Sequence, residues 1–231
     1  MLQLGSELWF PPPEHFGEDG LVAIGGDLSA ARLLLAYERG IFPWSAPEDP
    51  LLWWCPDPRA VIRTDQVKVS KSMRNVLNQG RFHITMDQDF RGVMEGCADR
   101  PEEGTWITED FTEAYCQLHD LGFAHSVEAW NDAGDLVGGL YGVSLGDMFF
   151  GESMFARASN ASKAAFITFS RQLETWGMPW MDCQIMNPHL ESLGARMMPR
   201  TEFLDALNVA LEAPTRRGEW SFATPDSAAT S

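Results

Sequence analysis

Two polar side chains stand two residues apart in a short apolar segment late in the chain. Asp182 and Gln184 belong to the run from Trp180 to Ile185, which is typical of a buried strand. Side chains alternate between the two faces of a strand, so both residues are predicted to point the same way. A carboxylate and an amide in apolar surroundings cost free energy unless they hydrogen-bond to each other or to a bound molecule. The pair therefore either braces a neighbouring loop or positions a nucleophile that carries a proton.

The surrounding segments predict the elements that must hold this pair in place. Alternating apolar residues on both sides of the turn at 131–134 predict antiparallel strands joined by hairpins, and helical spacing predicts a long helix over 160–176. The predicted strands are 82–86, 124–130, 136–143, 148–152 and 180–185, and the predicted helices are 27–39, 70–79, 90–98, 108–121, 160–176, 188–193 and 201–211. This order indicates an α+β fold with a mixed, mostly antiparallel sheet flanked by helices.

The order of these elements is similar to that of GNAT-like acyltransferase domains. In that fold two central strands splay apart, and the acyl donor enters between them. In this chain the two strands would be the one that ends at Phe155 and the one that carries Asp182 and Gln184. A fold analogy of this kind predicts architecture and leaves the activity to be argued from the site.

A change of pattern near residue 62 predicts two domains. Four prolines between Pro47 and Pro58 fix the backbone there, and a different succession of elements follows Arg63. We therefore predict a small N-terminal domain over residues 1–62 and a catalytic domain over residues 63–231. The segment from about residue 213 is rich in Pro, Ser and Ala, so we expect a loosely ordered tail.

The charge is distributed unevenly along the chain. A formal net charge of −16 argues against nucleic acid, but residues 59–91 hold seven of the 17 basic residues and only three acidic ones. This segment could bind a phosphate backbone locally, or it could be a solvated face in which the charges cluster by chance. The candidate phosphate-binding residues are Arg59, Arg63, Lys68, Lys71, Arg74 and Arg81.

The four cysteines are widely spaced and form no CxxC pair. No histidine stands at ligand spacing from them, so a disulfide framework or a zinc site is not expected, and a reducing cytoplasm fits. The N-terminus lacks the basic and apolar regions of a signal peptide, and no apolar run approaches the length of a membrane span. We expect a cytoplasmic monomer that binds no membrane, no metal and no cofactor.

Eight segments in conserved order along residues 8–208 resemble the bacterial leucyl/phenylalanyl-tRNA–protein transferase family. The segments are Gly20–Ser29, Arg39–Trp44, Trp53–Arg59, Glu103–Thr108, Gly138–Val143, Gly151–Phe155, Asn160–Lys163 and Asp182–Gln184. The departures are small: Cys55 stands where serine is expected, and Leu140 where methionine is expected. Both concern the shape of a pocket and leave the type of reaction unchanged.

The resemblance implies an aminoacyltransferase. Such an enzyme takes leucine, phenylalanine and, less readily, methionine from aminoacyl-tRNA and joins it to a protein whose first residue is arginine or lysine. The new N-terminal residue marks the product for degradation. The resemblance also implies a small N-terminal domain on a C-terminal GNAT-like domain.

The resemblance places Asp182 and Gln184 at the catalytic centre, with Glu152 nearby. The donor ester is already activated, so the enzyme mainly aligns it with an amine whose pKa is near 8. We expect the amide oxygen of Gln184 to accept an N–H of that amine, and Asp182 to stabilise the positive charge that develops. Glu152 is expected to hold an ammonium group of either the acceptor or the donor.

Substrate recognition is assigned to apolar and aromatic side chains, each of which could also be plain core. The candidates for a pocket that accepts leucine or phenylalanine are Leu140, Met154, Phe155, Phe169 and Met181. Trp53 or Trp106 is expected to stack on the terminal adenosine of the tRNA. The basic segment would hold the acceptor stem through its phosphates.

Three other readings of the sequence remain open. An acyl-coenzyme A transferase would present glycines after Phe155 for the pyrophosphate, where this chain has Asn160 and Ser162. A non-catalytic tRNA-binding adaptor would bind tRNA without transferring an amino acid. A hydrolase built on Cys183 would require an activating histidine, and none is placed by the sequence.

Overall fold

The computed structural model describes residues 2–100 and 104–222 and contains two sheets. The first is a four-stranded sheet in the order β1-β2-β4-β3. Its strands are β1 (Gln3–Leu4), β2 (Leu21–Gly25), β3 (Phe42–Pro43) and β4 (Leu52–Trp54). Helix α1 (Ala30–Glu38) follows β2 and begins at Ser29, whose hydroxyl accepts a hydrogen bond from the amide of Arg32.

The second sheet has seven strands in the order β11-β5-β10-β9-β8-β7-β6. Its strands are β5 (Arg59–Arg63), β6 (His83–Met86), β7 (Ala124–Trp130), β8 (Leu136–Leu145), β9 (Met148–Ala156), β10 (Trp180–Gln184) and β11 (Arg196–Met198). Every neighbouring pair is antiparallel except β9 and β10, which are parallel. The predicted α+β fold with a mixed, mostly antiparallel sheet is therefore confirmed.

Helices cover the seven-stranded sheet, and apolar cores lie on both of its faces. The helices are α2 (Lys71–Asn78), α3 (Phe90–Ala98), α4 (Glu109–Asp120), α5 (Ala161–Thr175), α6 (Pro188–Leu193) and α7 (Arg200–Leu211). One core joins the sheet to the four-stranded sheet and to α1, α3, α4 and α7. The other lies mainly between the sheet and α5, with α2 at its side. Over the described residues, no helix has the length and apolar character needed to cross a membrane.

The change from one sheet to the other falls between β4 and β5. Strand β5 pairs with β10 and β11 and so belongs wholly to the seven-stranded sheet, whereas Trp54 ends the four-stranded one. The predicted boundary at residue 62 falls inside β5, and the change lies between Trp54 and Arg59. The sequence pattern changes only after β5, because this strand is as apolar as the segment that precedes it.

Most side chains of residues 213–222, which follow α7, are exposed, but one of them is anchored in the core. Trp220 is only 3% exposed, and its ring stacks on that of His125 at 3.6 Å. The backbone N–H of Trp220 donates to Asp87 Oδ2 at 2.6 Å. One large aromatic side chain therefore fixes a segment whose composition is typical of a loop. Residues 223–231, and Glu103 of the segment Glu103–Thr108, lie outside the described residues.

The parallel pair β9 and β10 diverges at its centre. The pairing runs from Trp180 opposite Met148 to Asp182 opposite Phe150, and β9 then continues to Ala156 paired with β8 only. Two irregularities mark the point of divergence, one between Asp182 and Gln184 and one opposite Gly151. A register shift re-aims side chains and ends the ladder locally. The splayed strands expected of a GNAT-like domain are therefore present, and polar side chains lie at their fork.

Candidate active site

Asp182 and Gln184 lie on the same side of the seven-stranded sheet, as the alternation predicts. The strand is not regular between them, because a bulge separates the two residues. Gln184 has a φ of 61° and is one residue out of register with β5. Its backbone N–H donates to Asp182 Oδ1 at 2.9 Å. A left-handed residue that is not glycine or asparagine is uncommon and concentrates at functional sites. The bulge places the Gln184 side chain over the fork between β9 and β10.

Asp182 is paired with Arg59 in the interior. Arg59 Nε and Nη2 donate to the two carboxylate oxygens at 2.8 and 2.6 Å, and both side chains are 0% exposed. The rings of Phe42 and Phe203 lie on the guanidinium at 4.7 and 4.6 Å. Burial alone would lower the pKa of Arg59, but the Asp182 carboxylate outweighs it and raises that pKa. The pair is thus an internal ion pair with no net charge.

This pairing corrects the assignment of Arg59 to tRNA phosphates, because its guanidinium is enclosed in the core. The other predicted basic residues differ from it. Arg63 is half-exposed and is paired with Asp65 at 2.9 Å. The other four predicted phosphate-binding residues are exposed and lie on or beside helix α2. They are Lys68, Lys71, Arg74 and Arg81.

Glu152 lies at the fork on β9 and touches three polar side chains. Gln184 Nε2 donates to Glu152 Oε1 at 2.6 Å, and the Tyr37 hydroxyl donates to the same oxygen at 2.7 Å. The Tyr115 hydroxyl lies 3.1 Å from Oε2 and 2.5 Å from the Tyr37 hydroxyl. Tyr37 comes from α1 and Tyr115 from α4, so the cluster joins the N-terminal elements to the large sheet.

Burial raises the pKa of Glu152 to about 7, and the nearby Asp182 carboxylate acts in the same direction. Hydrogen bonds from Tyr37, Tyr115 and Gln184 oppose this shift without cancelling it. A carboxyl group with such a pKa is partly protonated near neutral pH.

The predicted donor-pocket residues divide between the two faces of the sheet. Leu140, Met154, Phe169 and Met181 share the core between the sheet and α5, where only Met154 is half-exposed. Phe155 is on the other face, where its ring packs on Gly96 so closely that a Cβ there would meet it at 2.5 Å. Four of the five residues are therefore brought together, and Phe155 is not among them.

The two predicted stacking tryptophans have different environments. Trp53 is fully buried, and its indole N–H donates to the carbonyl of Gly25 at 2.8 Å, so its face is not available to a base. Trp106 is half-exposed and packs edge-on against Phe111 at 5.3 Å. The assignment of Trp53 to the adenosine is thereby corrected, whereas Trp106 remains a candidate.

Trp106 lies in an open cleft of about 450 Å³ at the border of the two sheets. The cleft is lined by three carboxylates, by two aromatic rings and by part of the loop between β3 and β4. Its residues are Asp27, Leu28, Ser45, Ala46, Pro47, Asp49, Leu51, Trp106, Thr108, Asp110 and Phe111. The Phe111 ring is stacked 6.4 Å from that of Tyr115, which touches Glu152. Phe111 and Tyr115 are both buried, and no residue of the polar cluster lines the cleft.

Three residues of this region were missed by the sequence analysis. Trp44 precedes the cleft residue Ser45 and is 43% exposed, although the tryptophan pair at 53–54 looked the better candidate. Tyr37 and Tyr115 occupy helix positions that read as apolar core, and nothing in the sequence marks their hydroxyl groups. Over residues 2–100 and 104–222, no three His, Cys, Asp or Glu side chains are arranged to hold a metal ion.

Comparisons with known proteins agree over nearly the whole chain. A family model described as leucyl/phenylalanyl-tRNA protein transferase matches residues 61–208, and one for the N-terminal domain of the same transferase matches residues 26–57. The leucyl/phenylalanyl-tRNA–protein transferase of Syntrophus aciditrophicus is 53% identical over 221 residues, which are 94% of this chain and 92% of that protein. The transferase of Myxococcus xanthus is 52% identical over 215 residues, 92% of each chain.

Two solved structures are similar in part. L-PGS from Bacillus licheniformis has a TM-score of 0.41 and 12% identity over 72% of this chain and 54% of that one. A GCN5-related N-acetyltransferase from Sphaerobacter thermophilus has a TM-score of 0.38 and 15% identity over 79% and 59%. The identity to the transferases and the two family models show the family of this chain. The chain belongs to the leucyl/phenylalanyl-tRNA–protein transferase family.

Proposed function

We propose that this transferase moves leucine, phenylalanine and, less readily, methionine from aminoacyl-tRNA to the α-amino group of proteins that begin with arginine or lysine. The product carries a new N-terminal residue that marks it for degradation in the cytoplasm. The protein works as a monomer. The observation that carries the proposal is the meeting of Asp182, Gln184 and Glu152 at the fork between two diverging strands.

The reaction requires one bond to form and one to break. The neutral amine of the acceptor attacks the ester carbon, a C–N bond forms, and the bond from that carbon to the ribose oxygen breaks. The amine loses a proton, and the ribose oxygen gains one, so no oxidant or cofactor is needed. The amide oxygen of Gln184 accepts an N–H of the attacking amine, and Asp182 fixes the backbone of Gln184 from below.

The donor side chain is proposed to pass through the fork into the core between the sheet and α5, on the face of the sheet opposite Tyr37 and Tyr115. Leu140, Met154, Phe169 and Met181 share that core, and Met154 lies on β9 two residues beyond Glu152. Burial of a leucine side chain gains roughly 2 kcal/mol over alanine, which is about thirtyfold in selection. Methionine side chains adapt to different shapes, which suits a pocket that accepts both leucine and phenylalanine.

The tRNA is proposed to lie across the cleft and the basic face of α2. Trp106 and the exposed Trp44 present aromatic surface for the terminal base. Lys68, Lys71 and Arg74 are exposed and bind phosphates of the acceptor stem, with Arg81 beyond them. Contacts to phosphates and to one stacked base carry little sequence information, so several tRNAs can be served.

The acceptor is proposed to be selected by the charge of the same cleft. Asp27, Asp49 and Asp110 are exposed carboxylates on its wall, and Asp27 is partly neutralised by Arg32 at 3.1 Å. A guanidinium or ammonium side chain next to the reacting amine would find complementary charge there. The cleft residue Phe111 packs on Tyr115, which contacts Glu152, so two buried rings lie between the cleft and the polar cluster.

One incubation tests donor and acceptor together. The protein is mixed with leucyl-tRNA and a peptide beginning with arginine, beside an otherwise identical peptide beginning with alanine. We expect the mass of one leucine residue to be added to the first peptide alone. Addition to both peptides would reject the acceptor assignment, and binding of tRNA without any transfer would identify a tRNA adaptor.

The cleft is tested with paired substitutions. Asp110→Asn should raise KM for the arginine peptide by about fivefold, the size expected of a partly exposed charge pair. Asp132→Asn in the exposed turn between β7 and β8 changes the net charge equally and serves as the control. Equal effects of the two variants would contradict a local role of the cleft.

A further inference from the structure

Three polar contacts surround the carboxyl group of Glu152. Tyr37 Oη is 2.7 Å from Oε1, Gln184 Nε2 is 2.6 Å from Oε1, and Tyr115 Oη is 3.1 Å from Oε2. The two phenol oxygens are themselves 2.5 Å apart. Glu152, Tyr37 and Tyr115 therefore form a closed ring of three oxygen–oxygen contacts.

Each contact of hydrogen-bond length between two oxygens needs one hydrogen. Tyr37 and Tyr115 each carry a single hydroxyl hydrogen, so two hydrogens are available for three contacts. If Glu152 is ionised, one of the three contacts has no hydrogen between its two oxygens, and their lone pairs face each other. A protonated Glu152 supplies the missing hydrogen, and every contact is then satisfied.

The arrangement of the ring also determines the orientation of Gln184. Tyr37 donates to Oε1, Tyr115 donates to Tyr37, and the carboxyl hydrogen on Oε2 faces Tyr115. Oε1 is then purely an acceptor that receives hydrogen bonds from Tyr37 and from Gln184 Nε2. The amide of Gln184 must present its nitrogen to Glu152, and its oxygen is left for another donor.

The charges around Glu152 favour the neutral form. Asp182 faces it from β10, and its negative charge is compensated by Arg59 on β5. Tyr37 faces it from α1, Tyr115 from α4 and Tyr141 from β8, and none of these groups is cationic. Burial of the carboxyl group adds to this preference.

We propose that Glu152 works as a neutral carboxylic acid, oriented by Tyr37 and Tyr115, which fixes the Gln184 amide with its oxygen toward the acceptor amine. This proposal depends on the proposed function only for the identity of the amine. It replaces the expectation that Glu152 is an anion that holds an ammonium group. Tyr37, Tyr115 and Glu152 are then positioning residues, and only Gln184 touches the reacting amine.

The protonation state can be measured on the free protein, without any substrate. Infrared difference spectra between wild type and Glu152→Gln should show the carbonyl stretch of a protonated carboxylic acid at about pH 6, and this band should vanish by about pH 9. Absence of the band at about pH 6 would overturn the proposal. This measurement does not involve amino acid transfer. If the proposed function is wrong, the proposal about the protonation of Glu152 can therefore still be right.

A second variant covers the case in which Glu152→Gln does not fold. In Tyr37→Phe an ionised Glu152 would have one donor fewer, so the band should persist to higher pH than in wild type. Its kcat should fall about tenfold while KM for aminoacyl-tRNA stays constant, because only the orientation of Gln184 is relaxed. An unchanged titration of the band would show that Tyr37 does not act on Glu152.

The chemical role is tested by comparing two substitutions at one position. Glutamine reproduces the neutral acid, with one carbonyl oxygen and a hydrogen-bond donor, whereas alanine removes both. Glu152→Gln should therefore retain about tenfold more activity than Glu152→Ala. If the glutamine variant is no more active than the alanine variant, the group acts as a carboxylate and the proposal fails.

Discussion

The guanidinium of Arg59 and the carboxylate of Asp182 are joined by two hydrogen bonds of 2.8 and 2.6 Å, with neither side chain exposed. Such a pair is geometrically fixed on both sides, because each oxygen of the carboxylate has its own donor. Asp182 Oδ1 also receives the backbone N–H of Gln184 at 2.9 Å. The conformation of the bulge thus depends on an arginine 123 residues away in the chain.

Arg59→Met should destabilise the fold strongly. The substitution leaves the Asp182 carboxylate buried without a partner, which costs about 3–5 kcal/mol in the free energy of unfolding. Arg63→Met is the matched control, since its pair with Asp65 is exposed to solvent and contributes little to stability. Urea denaturation of the two variants measures the difference. Equal losses would show that the buried pair has no special role.

Glu152→Gln should change how stability depends on pH. The pKa of Glu152 is raised to about 7 in the folded protein, above its value of about 4.3 in the unfolded chain, so wild type loses stability as the pH rises between these values. The variant avoids this loss. Its stability advantage should be absent near pH 4 and reach at most ~4 kcal/mol above pH 7.

Thermal unfolding from about pH 4 to about pH 8 follows this effect. Glu174→Gln, on the exposed face of α5, removes an equal charge and should show no comparable trend. A constant difference between Glu152→Gln and wild type at every pH would contradict a raised pKa at Glu152.

The basic face of α2 should govern the salt dependence of tRNA binding. Each phosphate contact that is removed lowers the slope of log affinity against log salt by about 1. The double substitution of Lys71→Gln and Arg74→Gln should therefore reduce this slope by about 2. Arg91→Gln is the control, because Arg91 is already paired with Glu109 and Glu113. A slope unchanged in the double variant would place the tRNA elsewhere.

Trp106→Ala should weaken the binding of aminoacyl-tRNA by about tenfold. Stacking of one base on an aromatic ring contributes about 1–3 kcal/mol, and the substitution removes the stacking of the one terminal base of the tRNA. Val209→Ala, exposed on α7, serves as a control for removal of surface apolar area. Fluorescence titration with leucyl-tRNA distinguishes the two, and unchanged affinity in Trp106→Ala would exclude this ring as the platform.

The sequence predicts the architecture well where its signals are local. The turn at 131–134 and the alternation around it identify the β7–β8 hairpin, and the alternation around Asp182 places Gln184 on the same side of the sheet. These features depend on neighbouring residues, so a local pattern contains enough information to predict them.

Features that depend on distant partners were not predictable. Arg59 stands at the start of a basic run and looks like a surface residue, because its partner Asp182 is contributed by a remote strand. Trp53 and Trp54 are adjacent on a three-residue strand, and nothing local indicates which of them faces the core. Tyr37 and Tyr115 read as core aromatics because their hydroxyl groups meet only in the folded protein.

The most direct test of the catalytic assignment is the single-turnover rate of leucine transfer by Gln184→Ala at saturating leucyl-tRNA. We expect a loss of about 100-fold with unchanged tRNA affinity, because the variant binds the donor but does not orient the amine. Gln117→Ala, exposed on α4, should transfer at the wild-type rate. Transfer by Gln184→Ala at the wild-type rate would contradict the role of this amide.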